Sequence, residues 1–156
     1  MTEDMTTDQS SILERVLDAQ ISHAKEHFNP VEVVGMLLAR LTSRESQILR
    51  MRFGLDGSDP KTLEAIGTAY NITRERVRQI EKQGVSKIKA LKDFDELIKP
   101  VANLVIREIR MSGGLIPRED LIEELKETTQ EEMTFINCMY FIISELLKEL
   151  SSIYPF

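Results

Sequence analysis

The apolar residues between positions 62 and 81 constrain the fold of this chain more than any other feature. The segment reads TLEAIGTAYNITRERVRQIE, and its apolar side chains recur at helical spacing on both sides of Asn71-Ile72. Thr73 is a good N-cap for the second helix, and Gly67 is small enough to let the two helices cross closely. The pattern therefore predicts a helix-turn-helix. Its inward-facing positions are Ile66, Tyr70, Ile72, Val77 and Ile80.

Burial of those positions leaves one stripe of the second helix facing outward. The stripe consists of Arg74, Glu75, Arg78, Gln79 and Lys82. These side-chain types suit the DNA major groove, because arginine pairs with guanine, glutamine with adenine, and glutamate accepts from cytosine. A recognition helix also meets base edges with its N-terminal part. The alternative is a helical hairpin inside a bundle, with outer residues paired to one another, such as Glu75 with Arg78 or Gln79.

The charge of the chain is unevenly distributed. The net charge of −6 taken alone argues against nucleic acid as a partner. Residues 40–92, however, hold twelve basic and six acidic side chains, a net of +6, between flanks of −5 and −7. A basic segment of this kind is typical of the surface with which DNA-binding proteins contact nucleic acid. On charge alone, a Lys/Arg-rich helix surface that only faces solvent is equally expected.

Several residues of the basic segment are candidates for DNA phosphate contacts. Thr62 and Thr73 stand at predicted helix starts, where hydroxyls and unpaired backbone N–H groups can bind phosphate. The predicted phosphate-binding residues are Arg44, Arg52, Thr62, Thr73, Arg76 and Lys82, with Arg50, Lys87 and Lys89 as further candidates.

Three stretches between Leu41 and Leu91 are more discriminating than a generic helix-turn-helix: RMRFGL, TLEAIG and ITRERVRQIE. With them, this segment resembles region 4 of the primary-type factors of the sigma-70 family. The resemblance implies that Arg74, Glu75, Arg78 and Gln79 read the promoter −35 element. It also implies that the helix from Arg44 to Phe53 contacts the flap of the RNA polymerase β subunit.

The first 40 residues depart from sigma factors that start transcription alone. Those factors carry region 2, which melts the −10 element and traps flipped bases on aromatic side chains, and such capture needs stacking platforms. This segment contains no Trp and one aromatic residue, Phe28. A self-sufficient sigma factor is therefore not expected.

Helices are also predicted on both sides of the basic segment. Residues 1–39 show two helical patterns, the first over Ile12 to Phe28. After residue 92 come a helix broken or kinked at Pro100, a Gly-Gly turn, helices over 117–127 and 131–150, and a short strand at Ser152–Tyr154. This order resembles a small winged helix of the HARE type, and its lone strand suggests that the chain stops short of a complete one.

The expected fold class is thus all-α: a sigma region 4-type helix-turn-helix followed by a small, mostly helical winged-helix-like domain. The expected domains are residues 1–39, 40–92 and 93–156. The helix over 131–150 is apolar on most sides, with a narrow polar stripe at Asn137, Ser144, Glu145 and Lys148. Such a helix is buried or forms an interface, so either a protein-contact module, for example a homodimer through this helix, or an ordinary core is expected.

Nothing in the sequence indicates an enzyme, a cofactor or a metal. His23 and His27 lack a third ligand nearby, Cys138 suits a buried thiol rather than a nucleophile, and Gly113-Gly114 lacks the Lys of a phosphate loop. No apolar run is long enough to span a membrane, the N-terminus is not a secretory signal, and the single cysteine fits a reducing cytoplasm.

The sequence therefore predicts a cytoplasmic transcription regulator that binds double-stranded promoter DNA and contacts the RNA polymerase core through the β flap. The alternative is a protein-interaction module that grips the β flap or an anti-sigma partner, with DNA binding incidental.

Overall fold

The computed structural model describes residues 29–125 and 132–148, together with positions 12, 15, 16 and 19. The helices are α1 (Pro30–Leu38), α2 (Ser43–Phe53), α3 (Leu63–Tyr70), α4 (Arg74–Lys89), α5 (Phe94–Met111), α6 (Arg118–Leu125) and α7 (Glu132–Phe141). A π-helical turn, Ile142–Leu146, continues α7. No strand occurs in this described part, and the predicted all-α class is confirmed. The predicted strand at Ser152–Tyr154 and most of the predicted helix over Ile12 to Phe28 lie outside it.

The helices of the basic segment begin and end at residues that cap helices well. Thr42 and Glu45 form a complete capping box at the start of α2, and Gly54 ends that helix in the left-handed conformation. The hydroxyls of Thr62 and Thr73 each accept a backbone N–H at 3.1 Å at the starts of α3 and α4. Each such cap satisfies a donor that the helix itself leaves unpaired and is worth about 1 kcal/mol. The boundaries are therefore encoded locally.

A small apolar cluster joins α2, α3 and α4. Its buried members are Ile48, Ile66, Val77 and Ile80, with Met51, Leu63, Tyr70 and Ile72 packed around them. Helices α3 and α4 cross so closely at Gly67 that an added Cβ would lie 2.7 Å from the carbonyl oxygen of Ile72. Asn71 closes the turn in the left-handed conformation, with φ of 52°. The predicted helix-turn-helix is confirmed. Helix α2 packs against it and adds Ile48 to its core.

A larger core connects the basic segment to the C-terminal helices. Its buried side chains run from Val34 of α1 to Leu147 after the π-helical turn, and they include Leu49 of α2 and Ile88 of α4. The ring centroids of Phe53 and Phe141 lie 4.9 Å apart. The described parts of residues 40–92 and 93–156 therefore stabilise each other through shared apolar burial. The domain boundaries after residues 39 and 92 stay predictions.

Helix α5 continues through Pro100, where the sequence predicts a break or a kink. Proline removes a backbone N–H donor from a helix interior and disfavours it. However, Ile98, Val101 and Ile109 bury one apolar face of α5 in the larger core on both sides of the proline. Burial of that face offsets the missing hydrogen bond, so α5 extends to Met111 instead of ending at Pro100.

Helix α7 is enclosed by its own chain on most sides. Asn137, predicted on a polar stripe, is buried, and its Nδ2 donates hydrogen bonds to the carbonyl oxygens of Gly54 at 2.8 Å and Ser58 at 3.3 Å. Ser144 and Glu145 are half-buried, so Lys148 alone of that stripe is exposed. The helix is expected to be buried or to form an interface, and in the structure most of its polar stripe lies inside the chain, where Asn137 donates to carbonyl groups of the turn after α2. The apolar faces of α7 are used inside the chain, and a homodimer is not shown.

We expect Asn137→Ala to destabilise the fold by about 1–3 kcal/mol, because it removes the buried donor that the carbonyl groups of Gly54 and Ser58 share and leaves Gly54 with the bond from the Gly57 N–H alone. The free energy of unfolding from urea titrations measures this loss. Asn103→Ala is the matched control, because Asn103 is exposed on α5. Equal stability of the two variants would show that Asn137 does not hold the turn after α2.

Two glutamates in α2 and the π-helical turn have opposite pKa shifts. A hydrogen bond from Lys87, assisted by bonds from Thr42, lowers the pKa of Glu45 below its ordinary value of 4.5. Burial raises the pKa of Glu145, and the neighbouring Glu81 carboxylate raises it further. The ionised form is thus stabilised by folding at the first position and destabilised at the second.

We expect Glu45→Gln and Glu145→Gln to change stability in opposite directions at about pH 7. Glu45→Gln should cost on the order of 1 kcal/mol. That cost is complete above pH 4.5 and disappears as the pH falls through the lowered folded-state pKa. Glu145→Gln should stabilise the protein above its raised folded-state pKa and have no effect below 4.5. Urea unfolding over a pH series measures both effects, and shifts of the same sign would contradict the assignment.

Candidate nucleic-acid interface

Helix α4 presents a charged outer face in its first two turns. Its opposite face is buried through Val77, Ile80, Gly84 and Ile88. The exposed residues are Arg74, Glu75, Arg76, Arg78, Gln79 and Lys82. The outward placement predicted for the base-reading residues is therefore found in the structure, while their contact with bases stays a prediction.

Four of these outer side chains are paired along the helix. Glu75 accepts two hydrogen bonds from Arg78, from Nε at 2.9 Å and from Nη2 at 2.6 Å. These bonds lower the pKa of Glu75 and raise that of Arg78, so both groups are ionised near neutral pH. In the next pair, one residue further along α4, Arg76 Nη1 donates to Gln79 Oε1 at 3.1 Å. The ion pair expected for a solvated helix surface is thus present, on the same face that suits DNA.

Three of the predicted DNA-contacting residues come from different helices and meet at one shallow depression. Arg52 of α2, Thr62 before α3 and Arg74 of α4 line it, together with Leu63 and Glu64. The fold thereby places two guanidinium groups and a helix N-terminus side by side, which is an arrangement that favours anions. The Glu64 carboxylate is the one acidic group that lines this depression, and it opposes anion binding there.

The Arg52 guanidinium is half-buried and held by the protein itself. Its Nε lies 3.3 Å from Glu81 Oε2, and its Nη1 donates to the carbonyl oxygen of Lys61 at 3.2 Å. Glu81 and Lys61 are functional neighbours that the sequence reasoning missed. Glu81 is 29 residues from Arg52 in the chain, and no local pattern connects the two positions.

The other predicted phosphate contacts lie around the edges of the helix-turn-helix. The Arg44 guanidinium carbon lies 6.0 Å from the ring centroid of Tyr70, whose hydroxyl donates to Gln47 at 3.0 Å. Thr73 lines a second open depression beside Arg74. Lys82 is exposed further along α4. Arg44 thus lies against the aromatic ring at the end of α3.

The candidate nucleophile and metal ligands of the sequence can be located only in part. Cys138 is fully buried, as predicted, and burial raises its pKa to about 11. Over the same residues no group of three or more His, Cys, Asp or Glu side chains could hold a metal ion. His23 and His27 lie outside the described part. No helix of that part is long and apolar enough to cross a membrane.

The three-helix core and the basic outer face of α4 define a helix-turn-helix domain of the DNA-binding class. Comparison with protein families places it more closely: residues 37–90 match the family model described as "Sigma-70, region 4". The central segment of this chain therefore matches sigma-70 region 4, as the resemblance of residues 41–91 implied.

Curated relatives match the same segment. RNA polymerase sigma factor SigA of Clostridium acetobutylicum is 47% identical over 64 residues, which cover 37% of this chain and 17% of that protein. The SigA proteins of Listeria monocytogenes and Listeria innocua are each 47% identical over 66 residues, covering 38% of this chain and 18% of theirs. The match thus spans less than a fifth of the length of these relatives.

Proposed function

We propose that this protein is a transcription regulator that binds promoter DNA in a sequence-specific manner and acts together with RNA polymerase. The observation that carries the proposal is the outer face of α4, with Arg74, Arg78 and Gln79 exposed in the first two turns of a region 4 domain. Similarity to sigma factors supports both halves of the proposal. The proposal includes a cytoplasmic location, where promoter DNA is transcribed.

In the proposed complex, α4 lies in the major groove and its N-terminal turns contact base edges. The base-reading set is Arg74, Glu75, Arg78 and Gln79, and the phosphate-binding set is Arg44, Arg52, Thr62, Thr73, Arg76 and Lys82. The depression lined by Arg52, Thr62 and Arg74 receives a phosphate of the DNA backbone. The process is docking without bond chemistry, driven largely by the release of counterions.

The proposed contact with RNA polymerase is made by the same domain. The exposed residues of α2 lie near its start and include Arg44 and Gln47, so we propose that this end of α2 meets the β flap. The acidic flanks, with net charges of −5 and −7, weaken nonspecific attraction to DNA. Tight binding therefore requires the correct site or the polymerase.

We expect Arg78→Ala to cost about 1–3 kcal/mol of binding free energy on a preferred site and to relax base preference at one position. A random-site selection identifies the preferred duplex, and fluorescence anisotropy compares it with a scrambled one. Lys82→Ala is the control, because loss of a phosphate contact weakens binding on all sequences alike. An equal loss on both duplexes for Arg78→Ala would remove it from the base-reading set.

A protein-interaction module is the second candidate function. The internal engagement of Arg52 and the net charge of −6 favour it, since both reduce the attraction to DNA. Titration of a labelled duplex at two salt concentrations separates the candidates. Sequence-dependent binding that falls steeply with salt supports the DNA-binding regulator. Retention on core RNA polymerase without any binding to duplex DNA supports the interaction module.

A further inference from the structure

We infer that α7 competes with RNA polymerase for one apolar surface of the helix-turn-helix domain. The end of α2 contributes Leu49 and Phe53 to this surface, and the last turns of α4 contribute Ile88. We call it the α2–α4 apolar surface. The inference rests on the proposed function and deepens it, because it states how a helix of the chain itself regulates the contact with polymerase.

Helix α7 and the π-helical turn cover the α2–α4 apolar surface in the structure. The ring centroids of Phe53 and Phe141 lie 4.9 Å apart, and the π-helical turn contacts α4. One turn before Phe141, Asn137 donates to the carbonyl oxygens of Gly54 and Ser58. An apolar helix thus lies against an apolar surface, which is a recurring way in which proteins bind a partner helix.

Helix α7 is an addition to the helix-turn-helix domain and does not belong to its own core. The match to the family model ends at residue 90, and α7 begins at Glu132. Over the described residues, the small apolar cluster is built from α2, α3, α4 and the turn at Ile72 alone. The helix-turn-helix therefore keeps a core of its own when α7 leaves the α2–α4 apolar surface.

RNA polymerase is the partner that fits this surface, because the proposed polymerase contact lies on the same helix. Arg44 and Gln47 are exposed at the start of α2, and Phe53 lies at its covered end. A polymerase helix with an apolar face would extend one continuous interface along α2. Such binding requires α7 to leave first, so the apparent affinity is the intrinsic affinity multiplied by the fraction of chains with α7 displaced.

Two variants of the full chain shift α7 in opposite directions. Asn137→Ala removes a buried donor that ties α7 to the turn after α2, so it raises the displaced fraction. The pair Gly57→Cys and Thr134→Cys locks α7 when oxidised, because a Cβ built at Gly57 lies 3.8 Å from the Thr134 Cβ, a spacing typical of disulfides. Cys138 is buried and does not compete for this bond.

Biolayer interferometry with core RNA polymerase measures the affinity of each chain. We expect Asn137→Ala to bind about tenfold tighter than the unmodified chain, in line with the loss of a buried donor that holds α7. The oxidised lock should lose most of the affinity and keep only the contact at the start of α2, and reduction should restore it. Asn103→Ala, on the exposed side of α5, is the control and should change nothing.

Amide hydrogen exchange in α7 verifies that Asn137→Ala raises the displaced fraction. The oxidised lock tests the inference independently of that variant, because the lock does not need a weakened fold. Equal affinity of the unmodified chain, the lock and Asn137→Ala would overturn the competition and leave the proposed polymerase contact standing. Absence of binding by every chain, Asn137→Ala included, would overturn the inference together with the polymerase half of the proposed function.

Discussion

The burial of Ile48, Ile66, Val77 and Ile80 between three helices is the constraint on which the rest of the structure depends. Val77 and Ile80 fix the rotation of α4 about its own axis. Once they are buried, geometry alone decides that the arginines and the glutamine of the first two turns point outward. The close crossing at Gly67 then fixes the position of α4 relative to α3. The chemistry of the outer face is therefore a consequence of an apolar core.

The second constraint comes from outside the region 4 domain. Helix α7 covers the turn after α2, and Asn137 donates hydrogen bonds to two carbonyl groups of this turn. Phe141 packs on Phe53 in the larger core. The acidic C-terminal helices thus support the basic domain mechanically while opposing its electrostatic attraction to DNA.

The parts of the fold that could be predicted are those specified locally. The helix-turn-helix, the caps at Thr42, Thr62 and Thr73, and the outward face of α4 follow from spacings of a few residues. The contact of Arg52 with Glu81 joins residues 29 positions apart, and that of Asn137 with Gly54 joins residues 83 positions apart. The spacing of residues along one helix cannot predict contacts between such distant positions. Pairing of Glu75 with Arg78 is predicted as the alternative to DNA binding, and the structure shows this pair on the exposed face of α4.

A structure of the chain bound to its selected duplex tests the central claim most directly. The account predicts that the first two turns of α4 lie in the major groove, with Arg78 within hydrogen-bonding distance of guanine O6 and N7. A complex in which the duplex lies against another surface, with the α4 face in solvent, would contradict the account.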